Sequence, residues 1–336
     1  MRIQAIVLYV RAHLVFLDSS GLAPVPPYCT LSPSPKLAFV SKSSKKNSDL
    51  NDAPRASGYF GGALLALKKA GIMDKALALG FAGRGIAWRK SLADDGLGNK
   101  RMGDILAHLS FPRDSTPLDG TDAILRWEIR SIIHPIHYSV ITPLEKPQEG
   151  EKTLFRCAVA LDPKDTRSDE ELLSEDSLSS LLGEMMPGPR PLPARVVRSS
   201  PYRIHQLCAS TFHRGRCILA GDAAHLNNPV GALGLTTGIL DAEAAADALE
   251  LIINEGKQLE ALRIYSHARQ KAFQTFVNPV STANKLRIAN DPEAATEDWF
   301  LRAMLDPTPE TIEEFTKPFF GIWRTNMREE MRRRQL

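Results

Sequence analysis

Apolar residues recur at helical spacing over 237–254, at Ile239, Ala242, Ala246, Leu249 and Ile253, which predicts one long helix with a buried stripe. A second helix is expected over 259–276, and Thr308 with Pro309 supplies the cap and first-turn residue of a third. Earlier, Leu64, Leu65 and Leu67 place a helix over 63–70 that Gly71 stops, with a shorter one over 74–79. Strand-like runs occupy 83–89, 134–142, 153–161 and 195–206. A Pro/Gly/Glu-rich turn separates the second and third of these, so they are expected as neighbouring antiparallel strands. Ser168 with Glu171 forms a capping box that opens a helix through about 182. Residues 19–51 are rich in Pro, Ser and Lys and bury too little apolar surface to order themselves, so they read as loop or linker.

The most informative run is 216–241. A short apolar strand ends on Gly221-Asp222, a Pro/Gly-rich turn follows through Pro229 and Gly231, and then comes a helix whose first residues are threonines and a glycine, Thr236, Thr237 and Gly238. A carboxylate at a strand end accepts hydrogen bonds from sugar-like hydroxyls. Glycines let backbone N–H groups approach a flat, electron-rich ligand at the positive end of the helix dipole. The same composition also serves a strand-turn-helix connection with no ligand, since Gly, Pro and Asn punctuate loops in any α/β protein.

Composition narrows the function classes. The chain has 336 residues, 43% of them hydrophobic and 24% charged, with a net charge of +3, so no general affinity for nucleic acid is expected. Four cysteines lack the spacing of a zinc site or a disulfide scaffold, which implies no metal and a reducing, cytoplasmic location. The apolar stretch 5–10 is interrupted by Arg11 and His13, making a poor signal peptide and no membrane span.

The ordered series Gly221-Asp222-Ala223-Ala224-His225, then Pro229-Val230-Gly231, then Gly234, Gly238 and Asp241 resembles the second flavin-binding fingerprint of the p-hydroxybenzoate hydroxylase-like, FAD-dependent aromatic hydroxylases. The resemblance covers roughly 54–88 and 127–299. It implies that Asp222 holds the ribityl chain, that Pro229, Gly231 and Gly234 lie along the flavin ring, and that Leu235 and Thr236 face its pyrimidine edge. Thr236 stands where the family usually has Asn; its hydroxyl is expected to cap the helix instead. Arg55 falls where the family has an arginine near the cofactor phosphates. His225 is expected to fix the turn.

The fold implied is α/β (α+β): an incomplete FAD-binding Rossmann-like domain interleaved with an antiparallel-sheet substrate domain, followed by C-terminal helices. The expected divisions are a divergent, poorly ordered segment over 1–51, a partial FAD-binding domain over 52–120, a substrate-binding sheet over 121–210, the Gly-Asp strand and helix of the FAD domain over 211–256, and a helical region over 257–336. A G-x-G-x-x-G turn, which would seat the cofactor's pyrophosphate on backbone N–H groups, is missing from the sequence. Asp119-Gly120 is a poor match to the family's Asp-Gly motif.

The activity implied is hydroxylation of a phenolic or polyketide-type aromatic small molecule by FAD, with NAD(P)H and O₂ as co-substrates. The alternative is a degenerate relative that binds a ligand or partner without redox turnover. His137, Tyr138, Tyr202 and His205 are the catalytic candidates, because they lie in strand-like runs and exchange protons or hydrogen-bond a phenolate. A Tyr or His in such a strand more often packs in the core with its polar atom satisfied.

Overall fold

The computed structural model describes residues 5–12, 58–81, 83, 85–110, 129–146, 152–321 and 323–334. In chain order it forms β1 (Ala5–Ala12), α1 (Gly62–Lys69), α2 (Met73–Leu79), β2 (Gly85–Arg89), β3 (Ala93–Asp94), β4 (Lys100–Arg101), β5 (Ile105–Ser110), β6 (Ile129–Ile132), β7 (Ser139–Pro143) and β8 (Thr153–Ala160). There follow α3 (Asp169–Leu172), α4 (Glu175–Met185), β9 (Ala194–Tyr202), β10 (Leu207–Cys208), β11 (His213–Arg214), β12 (Cys217–Ile218), β13 (His225–Leu226), α5 (Gly234–Ile253), α6 (Glu260–Ala272) and α7 (Asn278–Ile288). Shorter helices complete the chain.

Two compact units emerge. The first comprises Leu79–Ile204 and Thr282–Phe315 together with β1; the second comprises 58–78, His205–Ser281 and 316–334. This differs from the expected division, because β2 and β5 join the large sheet rather than a flavin-binding domain.

In the first unit a seven-stranded mixed sheet runs β5-β2-β6-β7-β8-β1-β9, antiparallel throughout except for the parallel pair β2 and β6. Strand alternation decides what each face touches. Phe155, Cys157 and Val159 of β8 pack with Ile132 and Ile141 against Leu178, Leu182 and Met185 of α4. Burial pushes the Cys157 thiol up to about 12, the state of an inert core sulfur. The expected helix over 168–182 is two helices. Ser168 forms the full capping box, and Ser174 then caps a new start by accepting from the Ser177 N–H.

β1 lies within the segment expected to be poorly ordered. Its run Ala-Ile-Val-Leu-Tyr-Val has the β-branched and aromatic content of a strand, and it pairs on both edges, with β8 and with β9. The run expected as a strand from 134 begins only at Ser139. Pro135 has no N–H to give a ladder, and His134 Nδ1 accepts from the N–H groups of Ile136 and His137 at 3.0 and 2.8 Å, which closes a turn.

In the second unit α5 is the central helix. Ala244, Ala245, Ala248 and Leu251 pack on Ala261, Leu262 and Tyr265 of α6, while Lys69 of α1 pairs with Asp247 at 2.7 Å. Small residues let the helices approach closely. The helix expected over 259–276 is α-helical to Ala272 and then widens into a π turn at Phe273–Val277. Phe273, Phe276 and Val277 are all buried there, with Trp323 against Phe276 at 5.1 Å between ring centroids.

Candidate functional site: a flavin cradle at the start of α5

The Gly-Asp turn is fixed by a buried charge cluster. Asp241, on the second turn of α5 and fully buried, accepts from the Gly221 N–H at 2.9 Å, from His225 Nε2 at 2.7 Å and from Arg269 Nε at 2.6 Å. Burial opposes ionisation of Asp241. The hydrogen bond from His225 and the Arg269 charge outweigh it and hold the carboxyl below its usual range. The imidazole of His225 also stacks on Phe273, centroids 4.6 Å apart. Arg269 donates onward to the Trp323 carbonyl and to Thr325 Oγ1. His225 therefore fixes the turn, as expected, by presenting Nε2–H to a carboxylate.

Gly221 (φ +59°) and Gly238 meet backbone to backbone: a Cβ on Gly238 would lie 3.4 Å from the Gly221 Cα. That contact brings the strand end onto the first turns of α5. Asp222 follows in a short 3-10 turn over Gly221–Ala223, exposed, with no side-chain partner among the described residues.

The Pro229–Gly231 turn is docked on α7. Asn228 is buried, caps the turn by accepting from the Val230 N–H at 3.1 Å, and donates to the Ser281 carbonyl at 3.0 Å. A Cβ on Gly231 would stand 3.1 Å from Ser281 Oγ, and one on Gly234 would stand 3.3 Å from Asn227 Oδ1. Helix packing thus accounts for glycine at 231, where the sequence suggested an open approach to a ligand. Ala232 then takes φ 54°, a left-handed conformation that costs a non-glycine residue about 1–2 kcal/mol.

Helix α5 starts three residues earlier than expected, and this changes the part played by Thr236. Leu233 occupies the cap position and offers no side-chain hydrogen bond, and the first turn holds no acid. The Thr237 N–H is the first to reach a helical acceptor, Leu233 O at 2.9 Å, so the amides of Gly234, Leu235 and Thr236 point forward with the positive end of the dipole. Thr236 lies in the first turn rather than at the cap. Its Oγ1 is buried, at 0% residue exposure, and has no partner among the described residues.

An uncapped, acid-free helix start, an orphaned buried hydroxyl and a bare carboxylate on the neighbouring turn form a donor and acceptor set that fits the pyrimidine edge and ribityl hydroxyls of a flavin. The sequence singled out Asp222, Pro229, Gly231, Gly234, Leu235 and Thr236, and the structure brings them to one end of α5. Arg55 and Asp119-Gly120 lie outside the described residues.

Arg269 escaped sequence reasoning, and Asp241 was noted without a role. The signal was present: Arg269 occupies a core position on the stripe Ala261, Tyr265, Ala272, where a lone cation demands a buried partner.

The catalytic candidates are spread out. His137, Tyr138 and Tyr202 belong to the first unit and His205 to the second. His137 sits in the turn before β7, not in a strand; its ring stacks on His134 at 5.7 Å, and Nδ1 donates to Ala160 O at 3.0 Å. Tyr138, half-buried, follows in the same turn, where burial raises its phenol. Tyr202 closes β9, level through β1 with Ala160, whose N–H donates to Tyr138 O at 3.0 Å. His205 lies in the link beyond β9.

Residues 121–279 match the family model of the FAD binding domain, and parts of the chain are similar in sequence to monooxygenases. It is 41% identical over 151 residues to para-nitrophenol 4-monooxygenase of Pseudomonas sp. (strain WBC-3), covering 45% of this chain and 35% of that protein. It is 38% identical over 108 residues to 6-hydroxy-3-succinoylpyridine 3-monooxygenase HspB of Pseudomonas putida, covering 32% of this chain and 28% of that protein. The chain thus spans about a third of the length of these curated relatives.

Among solved structures, p-nitrophenol 4-monooxygenase PnpA from Pseudomonas putida DLL-E4 superposes with a TM-score of 0.67 at 24% identity, covering 84% of this chain and 91% of that one. The complex of aklavinone-11 hydroxylase with FAD and aklavinone gives 0.53 at 15% identity, covering 80% and 67%. Both show the fold.

Proposed function

We propose that the protein is an FAD-dependent monooxygenase that hydroxylates a phenolic or polyketide-type aromatic small molecule with NAD(P)H and O₂. The uncapped start of α5 beside the orphaned Thr236 hydroxyl carries this reading, because nothing among the described side chains uses those donors. Bound flavin supplies the redox and oxygen-transfer chemistry, which no amino-acid side chain provides.

The chain's own residues bind and orient. The amides of Gly234, Leu235 and Thr236 stabilise negative charge at the ring edge, Thr236 Oγ1 donates beside them, and Asp222 accepts from the ribityl hydroxyls. Asp241 holds the turn that carries Asp222 without touching the ligand. Arg55 belongs to the same cofactor set. A single-ring phenol is the substrate class favoured by the likeness to para-nitrophenol 4-monooxygenase. Tyr138, kept protonated by burial, is a donor to a phenolate, and Tyr202 belongs to the same end of the sheet. His137 spends Nδ1 on the Ala160 carbonyl, which leaves Nε2 for a ligand; His205 is the remaining candidate.

A cytoplasmic location without nucleic-acid partners fits the unpaired Cys157, Cys208 and Cys217; among the described residues no helix is long and apolar enough to cross a membrane. The test is to purify the chain, titrate FAD by quenching of flavin fluorescence, and follow NAD(P)H oxidation and product formation with 4-nitrophenol. Hydroxylated product is expected. Protein that stays colourless and takes up no added FAD would overturn the reading and favour a relative without redox activity.

A further inference from the structure

One buried cation in the first unit has no partner among the described residues. Arg156 is 7% exposed, its Nε is fully covered, and its guanidinium has no hydrogen bond or ion pair among the described residues. The other buried arginines are all engaged. Arg89 donates to Gly103 O at 3.2 Å, Arg130 lies over the Phe155 ring at 5.9 Å, Arg269 pairs with Asp241 at 2.6 Å, and Arg287 pairs with Asp298 at 2.9 Å. An unpaired buried charge is among the most costly features a fold retains, and such features concentrate where a ligand completes them.

The direction of Arg156 follows from the strand. Its neighbours Phe155 and Cys157 enter the helix-covered core, so Arg156, Ala158 and Ala160 belong to the sheet's second face. Cross-strand register lays out that face in rows. Thr142 and, across β1, Arg198 share the row of Arg156; Val140 and Ser200 share the row of Ala158; Tyr202 shares the row of Ala160. Successive rows are about 6.8 Å apart. A cationic row therefore adjoins a row of small, half-buried side chains, and beyond it lies a row ending in a phenol.

We propose that Arg156 anchors an anionic oxygen carried by a planar aromatic ring laid on the Val140–Ala158 row. The oxygen belongs to the phenolate of the substrate, and the proposal rests on the flavin-hydroxylase reading for the identity of the ring.

The test compares full-length wild type with R156M and R156K. Each is titrated with 4-nitrophenolate by absorbance difference and with FAD by fluorescence quenching, and its melting temperature is measured without ligand. R156M is expected to melt higher than wild type, because a buried charge without a partner has been removed. Its affinity for 4-nitrophenolate should fall about tenfold to a hundredfold, the worth of a charged hydrogen bond, with R156K in between and FAD uptake unchanged. Loss confined to 4-nitrophenolate supports the proposal; loss confined to FAD overturns it. R156M that binds both probes like wild type, or that melts lower and loses both together, overturns the proposal in favour of a packing role. Wild type that takes up neither probe overturns both this proposal and the flavin reading, whereas FAD uptake unchanged across the variants with no phenolate effect overturns this one alone.

Discussion

Replacing Asp241 tests the physical basis of the cradle. The carboxylate is fully buried and accepts three hydrogen bonds, of 2.6, 2.7 and 2.9 Å, from Arg269, His225 and the Gly221 amide. In D241A the Arg269 charge, itself 0% exposed, loses its counter-ion, and breaking such a pair from one side costs about 3–5 kcal/mol. The stranded Gly221 and His225 donors add about 1–3 kcal/mol each at most, and not additively. A loss of about 4–5 kcal/mol is expected, a third or more of the roughly 5–15 kcal/mol that holds a typical domain. D241N keeps the volume and some acceptor capacity but not the charge, so about 3 kcal/mol is expected.

The double variant D241L/R269M removes both charges and should be less damaging than D241A. Urea unfolding followed by far-UV circular dichroism measures all three, since the second unit is mainly helical. The pH dependence has a definite sign. The folded Asp241 carboxyl titrates below the usual carboxylate range, so its contribution is complete above that range and disappears as pH falls through the lower folded value. D241N should therefore flatten the acid limb of the stability curve. Singles within 1 kcal/mol of wild type, or a double no better than D241A, would refute the idea that a buried ion cluster pins the turn.

Other substitutions probe neighbouring features. T236V removes a buried hydroxyl that has no partner, so it should raise the stability of the protein without ligand by about 1 kcal/mol while weakening FAD binding in a fluorescence titration. G231A places a methyl 3.1 Å from Ser281 Oγ and should cost about 1–3 kcal/mol in urea unfolding, with S281G restoring much of it. S174A removes the cap of α4 and should cost about 1 kcal/mol by the same assay. With its thiol near 12 and fully buried, Cys157 should resist alkylation at pH 8 until the chain unfolds, whereas exposed Cys217 reacts first; peptide mapping by mass spectrometry decides this.

Much of this architecture was legible wherever periodicity was strong. The helix at α5, the antiparallel pair β7 and β8, and the capping box at Ser168 follow from local pattern alone. What escaped was decided at long range. Whether Gly231 faces a ligand or a helix depends on Ser281, and no spacing within the turn encodes that. The pairing of Asp241 with Arg269 joins two helices, although a charged residue on an apolar stripe hinted at it. Thr236 was placed at a cap because helix starts shift by several residues when Gly234 and Leu235 are free to join the first turn. The strand at β1 was masked by the Pro- and Ser-rich sequence behind it.

The position of that first strand has a consequence for biogenesis. Residues 5–12 leave the ribosome long before one of their two hydrogen-bonding partners, a strand that ends at Tyr202. At roughly 5–20 residues per second, the nascent strand β1 waits on the order of 10–40 s for that neighbour. Deleting it would leave β8 and β9 each with an open edge, the kind of surface on which chains associate. Deletion of β1 should therefore show itself first as insoluble product.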